Sequence, residues 1–320
     1  MRTVIAFRMV ASLACQPRPE FPRETPPQYT RNQAFADSLG PDLEPVEPYF
    51  EDATPTPELR TSEMIEVPAG MAVLGSTSED LDHAVELCRA ESDSAIYTCD
   101  TQDFERESPR REVDLEAFWI DTSEVTVQDY QQCIEAGICT PPNASGVCKE
   151  NTYIRALSTH PVNCVDWREA SAYCRWRGKR LPNADEWEKA ARGTEGETFP
   201  WGEEAPTCEH AYTPYRGGCG DWATLDGGTA PVGSVPLDRS PYGVKDMAGN
   251  VGEWTSSEYH GFRITKGGGA YSRSSNLRCA AFSAVSDDDV EIFVGFRCAY
   301  SEEEDEPGAA EPPQIEFDAL

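Results

Sequence analysis

Residues 266–283 read "KGGGAYSRSSNLRCAAFS". Three successive glycines open a polar loop, and Cys279 stands near its end. Apolar residues recur in the flanking "FRITKGG" and "RCAAF", which predicts two short strands joined by this loop. The wider stretch 195–300 is rich in Gly, Trp and turn residues, and "VGFRCAY" supplies one more short strand pattern.

Regular structure concentrates further towards the N-terminus. "NADEWEKAARG" predicts a helix with Asn183 as its cap, Glu186 completing a capping box and Gly193 as its stop. "VDWREASAYCRWRG" predicts a second helix, with Trp167, Ala170, Tyr173 and Cys174 on one face and Gly178 at its end. Ahead of it, "REVDLEAFWIDTSEVTVQDYQQCIEAG" reads as a strand, followed by a helix over 127–136 capped by Thr126. "MIEVPAGMAVLGS" reads as strand, turn, strand. No internal repeat is evident, so 61–300 is expected to form one continuous domain. Residues 16–60 hold ten prolines and nine acids and read as an extended tether. Residues 301–320 carry eight acids and no base, the composition of a disordered tail.

The chain has 320 residues and a formal net charge of −30. That charge repels phosphate backbones and anionic headgroups, which argues against nucleic-acid binding by charge and is compatible with divalent cation binding. Of the twelve cysteines none forms a CxxC pair, and their irregular spacing suits disulfides in an oxidising compartment. "MRTVIAFRMVASLAC" resembles a bacterial lipoprotein signal with Cys15 as the lipidated residue. Arg8 interrupts its apolar run and Ser12 stands where Leu is usual, so cleaved secretion and cytoplasmic residence stay open. No later stretch is apolar for long enough to span a bilayer. The expected location is the bacterial cell envelope, outside the cytoplasm, with membrane contact only through the anchor. The half-buried helix residue Cys174 is read as a free thiol. Ten cysteines then remain for disulfides. The preferred pairs are Cys88–Cys99, Cys208–Cys219 and Cys279–Cys298, and three connectivities are open among Cys133, Cys139, Cys148 and Cys164.

In chain order, "VPAGMAVLGS", "FWIDTSEVTVQDY", "PVNCVDWREASAYCRWRGKRLPNADEWEKAARG", "PWGEE", "SPYGVKDMAGNVGEWTSS", "KGGGAYSRSSNLRCA" and "GFRCAY" together resemble the formylglycine-generating enzyme, or sulfatase-modifying factor, family. The likeness covers nearly all of 61–300. It implies an α+β fold, an irregular C-type lectin-like variant of low secondary-structure content. It also implies an oxygen-dependent oxidation of a sulfatase cysteine, with copper(I) held between two thiolates five residues apart in the glycine loop. Soft copper(I) requires sulfur there, and serine oxygen does not replace it. Anchored on the glycines, those positions fall on Ser272 and Leu277. Anchored on "RCA", they fall on Gly269 and Ser274. Neither alignment supplies a cysteine, so copper is not expected. A relocated copper pair, Cys279 with Cys298, is the weaker reading beside a disulfide between two core strands.

Iron-binding members of the family use grouped histidines, whereas His83, His160, His210 and His260 are scattered. The resemblance further implies one structural calcium, held by the Asp246 side chain, the Gly249 and Val251 carbonyls and the Glu253 carboxylate. Hard oxygen donors in a tight turn suit that ion. Lys179 and Arg180 in "RGKRLP" read as structural, Trp187, Trp201 and Trp254 as core, and "SDDDVE" at 286–291 as a solvated acidic loop. Two functions fit. One is a surface-tethered, monomeric binding module for a protein, peptide or glycan, lacking the oxidase activity. The other is a metal-dependent oxidoreductase that modifies a secreted protein or metabolite.

Overall fold

The structure, a computed structural model, describes residues 64–91, 99–213 and 228–302. The signal-like segment with Cys15, the 16–60 tether, Cys219 and all but the first two residues of the acidic tail lie outside the described residues. No helix among the described residues is long and apolar enough to cross a membrane.

Among the described residues, nine short strands and four α-helices form the frame, which is the α+β organisation expected from the sequence. Strands β1 (Met64–Val67) and β2 (Gly70–Leu74) flank the Pro-Ala-Gly turn but belong to different sheets. The single strand expected over "REVDLEAFWID" is two, β3 (Arg111–Leu115) and β4 (Phe118–Asp121). β2 pairs with β3, and β1 with β4, both antiparallel. A third sheet among the described residues has the order β7-β6-β5-β8, built from β5 (Gly252–Tyr259), β6 (Phe262–Lys266), β7 (Phe282–Val285) and β8 (Val294–Gly295). β7 begins only at Phe282, so "RCAA" is loop rather than the expected strand.

The "VGFRCAY" segment divides between this sheet and the one that holds β1 and β4. β8 runs parallel to β5, whereas β9 (Ala299–Tyr300) pairs with β4. Between them, Phe296, Arg297 and Cys298 are fully buried. One seven-residue stretch, 294–300, thereby joins the sheets.

Each helix starts where its first-turn N–H groups find a side-chain acceptor. Thr77 caps α1 (Ser78–Ala90) in a capping box with Asp80. Thr126 caps α2 (Val127–Glu135), Asp166 caps α3 (Trp167–Trp176), and Asn183 caps α4 (Ala184–Arg192). Gly193 ends α4 at φ 75°, a left-handed conformation that a β-carbon disfavours. α2 and α3 pack Tyr130, Tyr173 and Cys174 against Trp254, Phe296 and Cys298. α4 covers a second cluster of Phe118, Ile120, Met247 and Cys279 with Trp187.

Those two clusters decide the cysteine pairing. Cys298 lies in the first and bonds Cys174 on α3, 124 residues away in sequence. Cys279 lies in the second and is free. Both the Cys279–Cys298 pair and the free Cys174 are therefore corrected. The inward face of α3 meets the closing segment directly, while Cys279 sits beneath Trp187 in another cluster. Cys88–Cys99 forms as expected, and the open set resolves into Cys133–Cys139 and Cys148–Cys164. Cys208 is disulfide-bonded.

Candidate functional site

The glycine loop is held as a rigid platform. Gly267 and Gly268 take φ of 85° and 65°. A β-carbon on Gly268 would stand 2.8 Å from the Asn276 carbonyl, and one on Gly269 would stand 2.8 Å from that of Phe293. Only glycine lets these backbones approach so closely. Ser272 closes the turn, since its Oγ accepts from Gly269 N at 2.9 Å and its own N–H donates to Gly269 O. At the far end Arg278 makes two bonds to Glu107, at 2.8 and 2.7 Å, both groups buried. Lys266 pairs with Glu188 at 2.9 Å, and the backbone and hydroxyl of Ser274 bind Glu91.

The platform floors a cavity of about 280 Å³. Its walls include Tyr271, Ser272, Asn276, Phe282 and Phe293, with exposed Glu291 at the rim. Tyr271 and Phe293 lie with ring centroids 3.9 Å apart. An apolar-walled concavity with a few polar groups is what a small ligand or a peptide side chain occupies.

The two copper-aligned positions diverge in space. Ser272 lines the cavity, whereas Leu277 is buried against Phe199, Ala211 and Ala248. In the other alignment Gly269 belongs to the floor and Ser274 is bound to Glu91. Cys279 is wholly buried, and desolvation pushes its thiol up to about 12. Cys298 is consumed by its disulfide, which overturns the relocated copper pair. These residues do not fit copper(I), because no thiolate reaches the cavity from any of them.

Beneath the platform lies a second polar centre. Glu253, fully buried, accepts from Trp187 Nε1 at 2.7 Å and from Arg297 Nε and Nη2, each at 2.6 Å. Arg297 also donates to the carbonyls of Asp121, Lys245 and Asp246. Asp246, at φ 54°, accepts from Gly233 N. Asp238 accepts from Met247 N and Ala248 N, both at 3.2 Å. The last acid, Glu124, was not singled out from sequence. It is 2% exposed, and its carboxyl shares a hydrogen bond with that of Asp246. Burial raises its carboxyl well above the usual range, and the charges of Asp246 and Glu253 raise it further. Burial raises Asp238, Asp246 and Glu253 as well. Of the calcium ligands implied by the resemblance, Asp246 sits in this centre with an acidic neighbour. Glu253 has both oxygens already engaged by three N–H donors.

The remaining residues fall where charge and size put them. Lys179 bonds Asp121 at 2.6 Å, and Arg180 bonds Glu186 at 2.7 Å, both structural ion pairs. Trp187 and Trp254 are fully buried, while Trp201 is half-buried and stacks on His210 at 4.8 Å. His160 is buried, with Nδ1 2.9 Å from Thr229 Oγ1. In the 286–291 loop, Asp287 and Asp288 pair with exposed Arg168.

Residues 49–302 match the family of sulfatase-modifying factor enzyme 1-like domains. The chain belongs to that family. It is 37% identical over 172 residues to the inactive C-alpha-formylglycine-generating enzyme 2 of Bos taurus, covering 50% of this chain and 54% of that protein. It is 38% identical over 167 residues to the formylglycine-generating enzyme of Mus musculus, covering 44% of each. The chain thus spans about half the length of these curated relatives. Among solved structures, PvdO from Pseudomonas aeruginosa aligns with a TM-score of 0.52 at 22% identity, over 74% of this chain and 93% of that one. Treponema denticola variable protein 1 aligns at 0.51 and 17%, over 74% and 94%. Those two likenesses establish a shared fold. The low content of regular structure fits the sulfatase-modifying factor domain.

Proposed function

We propose that this sulfatase-modifying factor domain is a binding module rather than a copper-dependent cysteine oxidase. One observation carries the reading. The glycine platform floors a cavity, yet a serine lines it where the resemblance implies a thiolate, and Leu277 faces the core instead. The similarity to a relative named inactive supports the same reading, although the chain is equally similar to active enzymes. In this proposal the cavity takes a side chain of a protein or peptide, or a glycan unit. Aromatic Tyr271, Phe282 and Phe293 supply contact area, and Ser272 and Asn276 supply hydrogen bonds.

The proposal also places the protein outside the cytoplasm, anchored through Cys15 when the lipoprotein signal is processed. Support comes from the four described disulfides and the bonded Cys208, since such bonds persist in oxidising compartments.

The test has two arms on the full chain. The first incubates it with copper(I), oxygen and a cysteine-containing sulfatase peptide, followed by mass spectrometry. The unmodified peptide is expected, and a cysteine-to-aldehyde mass loss overturns the proposal. The second screens arrayed peptides and purified cell-wall glycans, comparing wild type with Tyr271→Ala and Ser272→Trp. Binders whose signal falls at least tenfold in both variants support the cavity. Binders indifferent to both variants place recognition elsewhere.

A further inference from the structure

Among the described residues, Arg106 makes no ion pair and no hydrogen bond, and its Nε is buried with nothing to accept from it. Its guanidinium carbon lies 5.1 Å from the centre of the Phe282 ring. A buried N–H without an acceptor bears the cost of its lost water. The chain has 57 acids to 27 bases, yet none of the described acids is set against this arginine.

Arg106 lines a cleft of about 40 Å³ together with Arg111, Lys266, Glu107, Asp185 and Glu188. Each of those acids is already taken. Glu107 accepts two bonds from Arg278 and one from Ser76 Oγ. Glu188 accepts from Lys266, Arg192 and Gly75 N. Asp185 accepts from both terminal nitrogens of Arg111. Counting these acids with the cations that line the cleft or pair with them, five positive groups stand against three negative ones. The cleft carries a local positive surplus inside a strongly acidic chain. It is distinct from the cavity on the glycine platform, although Phe282 lines both.

We propose that this cleft binds a single carboxylate, anchored on Arg106. A water needs about 10–15 Å³ of such space, so the cleft holds about three atoms of that size, the bulk of a carboxylate. The larger tetrahedral oxyanions exceed it. A guanidinium presents paired N–H donors that match the two carboxylate oxygens, and contact with Phe282 steadies its plane. Half-buried Arg106 and exposed Pro109 leave the cleft open to solvent. The carboxylate belongs either to a free small acid or to an acidic side chain of a bound peptide. The inference does not rest on the binding role proposed for the platform cavity.

The experiment measures formate binding to the full chain by saturation-transfer NMR at constant ionic strength, which holds the general field of the chain fixed. Wild type is expected to bind formate saturably. Arg106→Gln should weaken binding at least tenfold, and Arg106→Lys at least threefold, because an ammonium keeps the charge and loses the fork. Acetate and N-acetyl-aspartate amide, whose carboxylate is the side chain, separate the two sources. Affinity at least tenfold tighter for the amide assigns the site to an acidic side chain, and comparable or weaker affinity assigns it to a free acid. Formate that does not saturate on wild type overturns the proposal. So does unchanged binding in Arg106→Gln, or binding lost in Tyr271→Ala and kept in Arg106→Gln, which locates the anion in the platform cavity. Should Arg106→Gln not fold, Arg106→Lys decides: threefold weaker binding supports the site, and unchanged binding refutes it.

Discussion

Removing the Cys174–Cys298 bond is the sharpest perturbation of this fold. The bond closes 124 residues of chain, whereas Cys133–Cys139 closes six. Loop-closure entropy assigns about 5 kcal/mol to the long bond and about 2 kcal/mol to the short one. All four cysteines are buried, three of them completely, so paired alanine variants leave similar voids and the difference isolates the loops. Cys174→Ala with Cys298→Ala should therefore cost about 3 kcal/mol more than Cys133→Ala with Cys139→Ala. Against a total stability of about 5–15 kcal/mol, the first double variant is brought close to unfolding at 25 °C and the second is not. Urea denaturation of the full chain, monitored by tryptophan fluorescence, measures both. A non-reducing digest supplies the connectivity, with the peptide holding Cys174 expected to migrate with that holding Cys298. Equal losses in the two double variants, or a Cys279–Cys298 linkage in the digest, would refute the reasoning.

Two further outcomes follow from buried charge and burial of sulfur. Burial pushes the Glu188 carboxyl up, but Lys266 and Arg192, with hydrogen bonds from Lys266 and Gly75, bring it net below its usual value. Its folded value then lies under its unfolded one, so its stabilisation is full above the ordinary glutamate range and is lost as pH falls through that range and below it. Glu188→Gln should destabilise at pH 7 by about 3–5 kcal/mol, because it strands Lys266 and Arg192, and should flatten the fall in urea midpoint between pH 5 and pH 3. An unchanged acid slope contradicts this assignment. Cys279, with its thiol pushed up to about 12 and no exposure, should resist iodoacetamide at pH 8 in the folded protein and react once urea unfolds it. Rapid labelling of Cys279 under native conditions would show that the platform opens.

The helices with local signals were legible because their information is local. Thr126, Asn183 with Glu186, Gly178 and Gly193 marked ends that the structure keeps within a residue or two. α1 carried the same kind of signal, Thr77 with Asp80 and inward Leu81, Ala84, Val85 and Cys88, and was overlooked beside the denser motifs downstream. The alignment anchored on the glycines named Ser272, which lines the cavity, and Leu277, which is buried away from it. What stayed hidden is set by tertiary contact. Nothing in "TSEVT" distinguishes Glu124 from a surface acid, because its burial comes from elements far away in the chain. Cys174 could not be matched to Cys298 by spacing, since the partner is chosen by the face of α3 that meets the closing segment. "GFRCAY" read as one strand, yet it bends from one sheet to the other at Phe296–Cys298.

The closing segment also fixes when the protein can become itself during synthesis. Residues 294–300 are among the last of the described domain to leave the ribosome. Until they do, Glu253 has no guanidinium, Cys174 has no sulfur to bond, and β4 and β5 each lack a neighbour. Contacts of such sequence separation make early partial folding unrewarding and final closure slow. A chain stopped before Arg297 retains Glu253 with the Trp187 bond and a Cys174 thiol without its partner. The closing segment thus couples the completion of both sheets to its own arrival.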